Sequence, residues 1–153
     1  MRWLLGFAAS LCLLCSIDEG LPGNRLLAQG AKGIAVESGF EISQVATDKI
    51  ASNIFCMAVD PEGRIFVSGP GYIKVLVDSD GDGVFEDASL FSDRLKSGAQ
   101  GIGFDQTNIL CTGDGGVWKF SDVDRDGVAD GPPEKMLAIK TGGEHDAHAI
   151  RKG

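Results

Sequence analysis

A chain of 153 residues with 22 acidic side chains against 14 basic ones carries a formal net charge of −8, a sign that argues against a nucleic-acid backbone as partner. Removing residues 1–30 leaves that charge unchanged, because Arg2 and Arg25 balance Asp18 and Glu19. The four cysteines include no Cys-x-x-Cys-His, which excludes attachment of a c-type haem.

Residues 1–30 read as a secretory signal peptide: Arg2 precedes thirteen uncharged, mostly apolar residues from Trp3 to Cys15, and a polar stretch follows. The run is too short for a comfortable membrane span, so no stable span is expected. Cleavage after Ala28-Gln29-Gly30 and an earlier cut near Ser16 both stay open. Cys12 and Cys15 lack the small preceding residues of a lipidation site and leave with the segment. The mature chain is thus expected to be exported, to the periplasm, the cell surface or the medium, where calcium is available and thiols oxidise. Only Cys56 and Cys111 would remain there. Each sits in a strand-like apolar run, where a buried free thiol is expected and pairing is the alternative.

Residues 31–53 are expected to hold a lead-in segment and a first strand. In residues 54–98, four β-prone runs at 54–59, 64–68, 73–77 and 88–91 are joined by Asp60-Pro61-Glu62-Gly63, by Gly69-Pro70-Gly71 and by an acidic loop. Residues 99–144 repeat the order with runs at 101–104, 108–112, 117–120 and Glu134–Ala138. Ile65 and Ile109, Ile73 and Val117, and Val84 and Val128 all stand 44 residues apart. Four short strands at this period predict an all-β chain of two four-stranded antiparallel β-propeller blades. Residues 145–153 read as the start of a third blade, with His148–Gly153 aligned with its innermost strand, as expected of a fragment cut off inside a blade; a closed ring needs at least about four blades, and assembly of two-blade chains into a ring is the alternative.

The two acidic loops carry the clearest chemistry. Asp78-Ser79-Asp80-Gly81-Asp82-Gly83-Val84-Phe85-Glu86 and Asp122-Val123-Asp124-Arg125-Asp126-Gly127-Val128-Ala129-Asp130 share one pattern, D-x-D-x-D-G-x-x-[DE]. Carboxylates at positions 1, 3, 5 and 9, with the carbonyl at 7, can converge on a hard cation, and glycine at 6 permits the sharp turn. The metal-ligand candidates are therefore Asp78, Asp80, Asp82, Val84 and Glu86, and Asp122, Asp124, Asp126, Val128 and Asp130, with calcium as the expected ion. Aspartates at alternate positions repel one another unless neutralised. These are not EF-hands: position 12 is Ser89 or Pro133 instead of a bidentate Glu, and no helical pattern follows. The ions should brace hairpins, with affinity near about 10⁻⁴ to 10⁻³ M. Two such ions would move the charge from −8 to about −4.

Strand alternation puts both acidic loops at the same end of their blades as the Asp60-Pro61-Glu62-Gly63 turn. The glycine-rich connections, and the stretch Gly142-Gly143-Glu144-His145-Asp146-Ala147-His148, fall at the opposite end. A histidine flanked by carboxylates there is suited to taking a proton from a substrate hydroxyl as hydride leaves the carbon. A pair of surface histidines and a zinc site at His-x-x-His are the alternatives.

Ser38-Gly39-Phe40-Glu41-Ile42, the hairpin Asp60-Pro61-Glu62-Gly63-Arg64-Ile65-Phe66-Val67, the acidic loops and Gly143-Glu144-His145 together resemble the N-terminal part of the planctomycete-type membrane-bound dehydrogenases. That family resembles in turn the soluble quinoprotein glucose/sorbosone dehydrogenases. The resemblance covers residues 38–153, and its most telling element is His145 followed eight positions later by Gly153. It implies a six-bladed propeller, pyrroloquinoline quinone as hydride acceptor, a sugar or polyol substrate, a cytochrome or other electron acceptor, and His145 as catalytic general base. The quinone-holding residues would lie in later blades, leaving this fragment inactive alone. The other reading is a non-catalytic propeller scaffold that binds a glycan or a protein.

Overall fold

The structure, a computed structural model, describes Ile34 and residues 36–40, 42–143 and 146–151. Residues 1–30, where a signal peptide is expected, and Glu41, Glu144, His145 and Gly153 lie outside the described residues. The chain divides into two units after Ser43. Where a first strand was expected near residue 38, the described residues instead make a turn, with Phe40 N donating to Glu37 O at 3.1 Å.

The second unit is all-β, with no helix among its described residues. Its strands are β1 (Cys56–Val59), β2 (Ile65–Gly69), β3 (Tyr72–Val77) and β4 (Asp87–Ser92), then β5 (Gly101–Asp105), β6 (Asn108–Gly113), β7 (Gly116–Ser121) and β8 (Glu134–Ala138). They form two four-stranded antiparallel sheets, ordered β1-β2-β3-β4 and β5-β6-β7-β8. The expected runs differ from these strands by only one or two residues at most ends. The two sheets do not by themselves close a ring.

Each sheet follows from its composition: β-branched and aromatic residues alternate between two apolar environments. On β2, Phe66 and Val67 are both fully buried, on opposite faces. Val67, with Ile65 and Leu76, packs against Ala46, Ile50 and Ala51, so the segment just before β1 covers that face. Phe66, Ile73, Val75 and Phe91 face the other way and form the main core with Ile102, Ile109, Cys111 and Phe120 of the second sheet. Edge-on ring contacts run Phe104 to Phe66 to Phe91 to Phe120, with centroids 5.2, 5.4 and 5.7 Å apart. Each such pair contributes about 0.5–1.5 kcal/mol beyond area burial.

The stacking is head to tail. Ile65, Val67 and Leu76 of the first sheet correspond, 44 residues on, to Ile109, Cys111 and Phe120 of the second. The former group faces the segment before β1, whereas the latter faces the first sheet. Gly101 and Gly103 point to the far face of β5, and there the backbone of residues 148–150 passes by. His148 O would stand 2.7 Å from a Cβ on Gly101, and Ile150 O 3.1 Å from one on Gly103. Residues 147–151, within the stretch 145–153 expected to begin a third blade, form no strand.

Candidate metal centre

Antiparallel order places the β1–β2 turn and both acidic loops at one end of the sheets. In the first loop, Asp78, Asp80, Asp82 and Glu86 each offer an oxygen to a group whose members lie within 4.8 Å of one another. The loop backbone makes this convergence. Gly81 and Gly83 take φ of 80° and 85°, which turns their amides onto Asp78 Oδ1 and Oδ2 at 2.7 and 2.9 Å. Those amides, Gly83's foremost, hold the Asp78 carboxyl below the usual carboxylate range. Val84 N donates to Asp82 Oδ1 at 2.7 Å, and Ser79 N to Glu86 Oε2 at 2.9 Å.

The second loop gathers Asp122, Asp124 and Asp126 within the same 4.8 Å limit. Val128 N donates to Asp126 Oδ1 at 2.8 Å, matching its counterpart in the first loop. Asp130, one methylene shorter than Glu86, stands outside this group, and its Oδ2 accepts from Val123 N at 2.9 Å. An indirect, water-bridged ligand is common at this loop position. Val84 and Val128 sit at position 7 of their loops, where a backbone carbonyl is the expected donor.

The loops are alike in sequence and unlike in setting. The first is solvent-facing, with Asp80, Asp82 and Glu86 exposed. In the second, Asp122 is 1% exposed and Gly127 is buried, because the first sheet lies against them. Arg64 is the agent. Its Nε lies 2.6 Å from Asp60 Oδ2, its Nη2 3.4 Å from Asp122 Oδ2, and its Nη1 donates to Arg125 O at 2.8 Å. Asp122 Oδ1 is buried and accepts no hydrogen bond from the protein. A buried carboxylate oxygen without a donor is costly unless a cation meets it. Sequence reasoning missed Arg64. The one available signal was its place in the turn preceding β2, at the same end as the loops.

A family model matches residues 27–151, and its description is a domain of unknown function, DUF7133. The chain belongs to this family. No curated protein matches it, and no solved structure does. What is shown of this DUF7133 chain is therefore an all-β unit of two sheets whose acidic clusters could hold a metal ion.

At the opposite end of the DUF7133 sheets, the polar groups serve the backbone. Asp114 accepts from Lys96 N and Ser97 N at 2.6 and 2.8 Å, Thr141 Oγ1 from Gly115 N at 2.7 Å, and Gln100 Oε1 from Gly142 N at 3.1 Å. Cys56 and Cys111 are free thiols, as expected, and burial pushes both up, Cys56 to about 11.

Proposed function

We propose that this chain is a calcium-braced scaffold, a pair of propeller blades in an exported protein, with one ion in each acidic loop. The observation that carries the reading is Asp122: a buried carboxylate in a cluster of three, with one oxygen lacking any donor. Its charge, and those of Asp124 and Asp126, call for a hard divalent cation with oxygen ligands. The propeller part is supported by the head-to-tail stacking of two like sheets and by the course of residues 148–150 along the next face.

A melting experiment on the full chain tests the metal. With calcium at about a hundred times its dissociation constant, each site adds about 2.7 kcal/mol over chelator. Asp80→Ala and Asp124→Ala should each remove a large share of the calcium-dependent rise in melting temperature. The same melt in calcium and in chelator would refute the proposal.

The sugar-dehydrogenase reading rests on the resemblance alone, since His145 lies outside the described residues. Sugar-dependent dye reduction by the full-length gene product, lost in His145→Ala, supports it. Failure with every aldose and polyol leaves the glycan- or protein-binding scaffold.

A further inference from the structure

We propose that the cation of the second loop is a latch between the two sheets, while that of the first loop braces only its own hairpin. The inference rests on the calcium reading above and specifies what one of the two ions regulates.

Three observations distinguish the loops. The first is the state of the leading aspartate. Asp78 has both oxygens engaged by amides of its own loop, whereas Asp122 has Oδ2 turned to Arg64 of the other sheet and Oδ1 buried without a donor. An ion meeting Asp122 therefore completes a group already shared with the neighbouring sheet.

The second observation is the number of ties that leave the loop. Arg64 binds the Arg125 carbonyl, Arg125 pairs with Glu62 of the β1–β2 turn, and Ala129 N donates to Phe91 O of β4 at 3.0 Å. Among the described residues, the first loop's one hydrogen bond to a segment outside its own hairpin is from Phe85 N to Val45 O at 2.7 Å.

The third is backbone conformation at loop position 4. Gly81 takes its left-handed φ freely, but Arg125 adopts φ 60° at the equivalent place. That conformation is strained for a residue that carries a Cβ. An arginine is kept there with its side chain on Glu62 and its carbonyl on Arg64. The loop's shape and the sheet contact are thus made by the same residues, so an ion that fixes the shape also fixes the contact.

Amide hydrogen exchange on the full chain, with ion binding followed in parallel by calorimetry, tests the latch. If the Ala129 amide is released from Phe91 only after the ion departs, calcium at about a hundred times its dissociation constant slows that exchange about a hundredfold relative to chelator. Asp80→Ala should lose one binding event and keep the effect; Asp124→Ala should lose the other event together with the effect. Calcium binding at both loops with Ala129 exchange altered less than about threefold overturns the latch and leaves the calcium reading standing. Absence of calcium binding overturns both.

Discussion

Arg64 Nε lies 2.6 Å from Asp60 Oδ2, and the same guanidinium reaches Asp122, 58 residues further on, at 3.4 Å. One side chain therefore pairs with two buried carboxylates, one from the β1–β2 turn and one from the second acidic loop, leaving a net negative charge, while its Cζ sits 5.4 Å from the centroid of the Phe66 ring. Arg64→Ala is expected to destabilise the chain by about 2 kcal/mol, less than the about 3–5 kcal/mol for breaking a fully buried pair because the guanidinium is partly exposed. Urea unfolding in chelator measures it. A midpoint equal to wild type would show that neither carboxylate depends on the arginine.

Gly98 lies between the sheets where the chain crosses from the first to the second. Its φ is 79°, and a Cβ there would stand 2.9 Å from the carbonyl carbon of Gly69 and 3.3 Å from Phe55 Cδ2. Gly63, with φ 87°, has open space around it. Gly63→Ala should cost about 1 kcal/mol of backbone strain, and Gly98→Ala about 2 kcal/mol or more. Equal losses in urea titrations would mean that the backbone near Gly98 yields freely.

Asp114 should give the fold an acid-sensitive contribution. Burial alone would raise its carboxyl, but the Ser97 hydroxyl, the amides of Ser97 and Lys96 and the Lys96 charge outweigh it and hold the group below its ordinary 3.8. A depressed folded value means that the stabilisation is present above about pH 4 and is lost as pH falls through the folded value. The stability gap between wild type and Asp114→Asn is therefore expected to be constant from neutral pH down to about pH 5 and to shrink below about pH 4. A gap independent of pH would assign the residue's role to shape alone.

The strands were legible because β-branched runs stand between glycine, proline and aspartate turns, and because the 44-residue offset let one sheet check the other. The acidic loops were legible from spacing, which alone brings three or four carboxylates together. Asp78 and Asp122, however, occupy the same motif position, and only packing against the first sheet buries one and leaves the other near solvent. A local pattern carries no information about which neighbour covers it. Of the lead-in and first strand expected within 31–53, the described residues form no strand for a related reason: Ser38-Gly39 makes a turn, and the apolar Phe40 is exposed.

Since unlike faces meet between the sheets, the contact is directional: its two sides are different surfaces, so it relates successive units by one fixed rotation and not by a two-fold. In any longer array built on this contact, the rotation at a single joint is multiplied by the number of units. Whether such an array closes on itself or winds open is then decided by a few atoms at that joint, among them the Gly69 carbonyl under Gly98 and the guanidinium of Arg64.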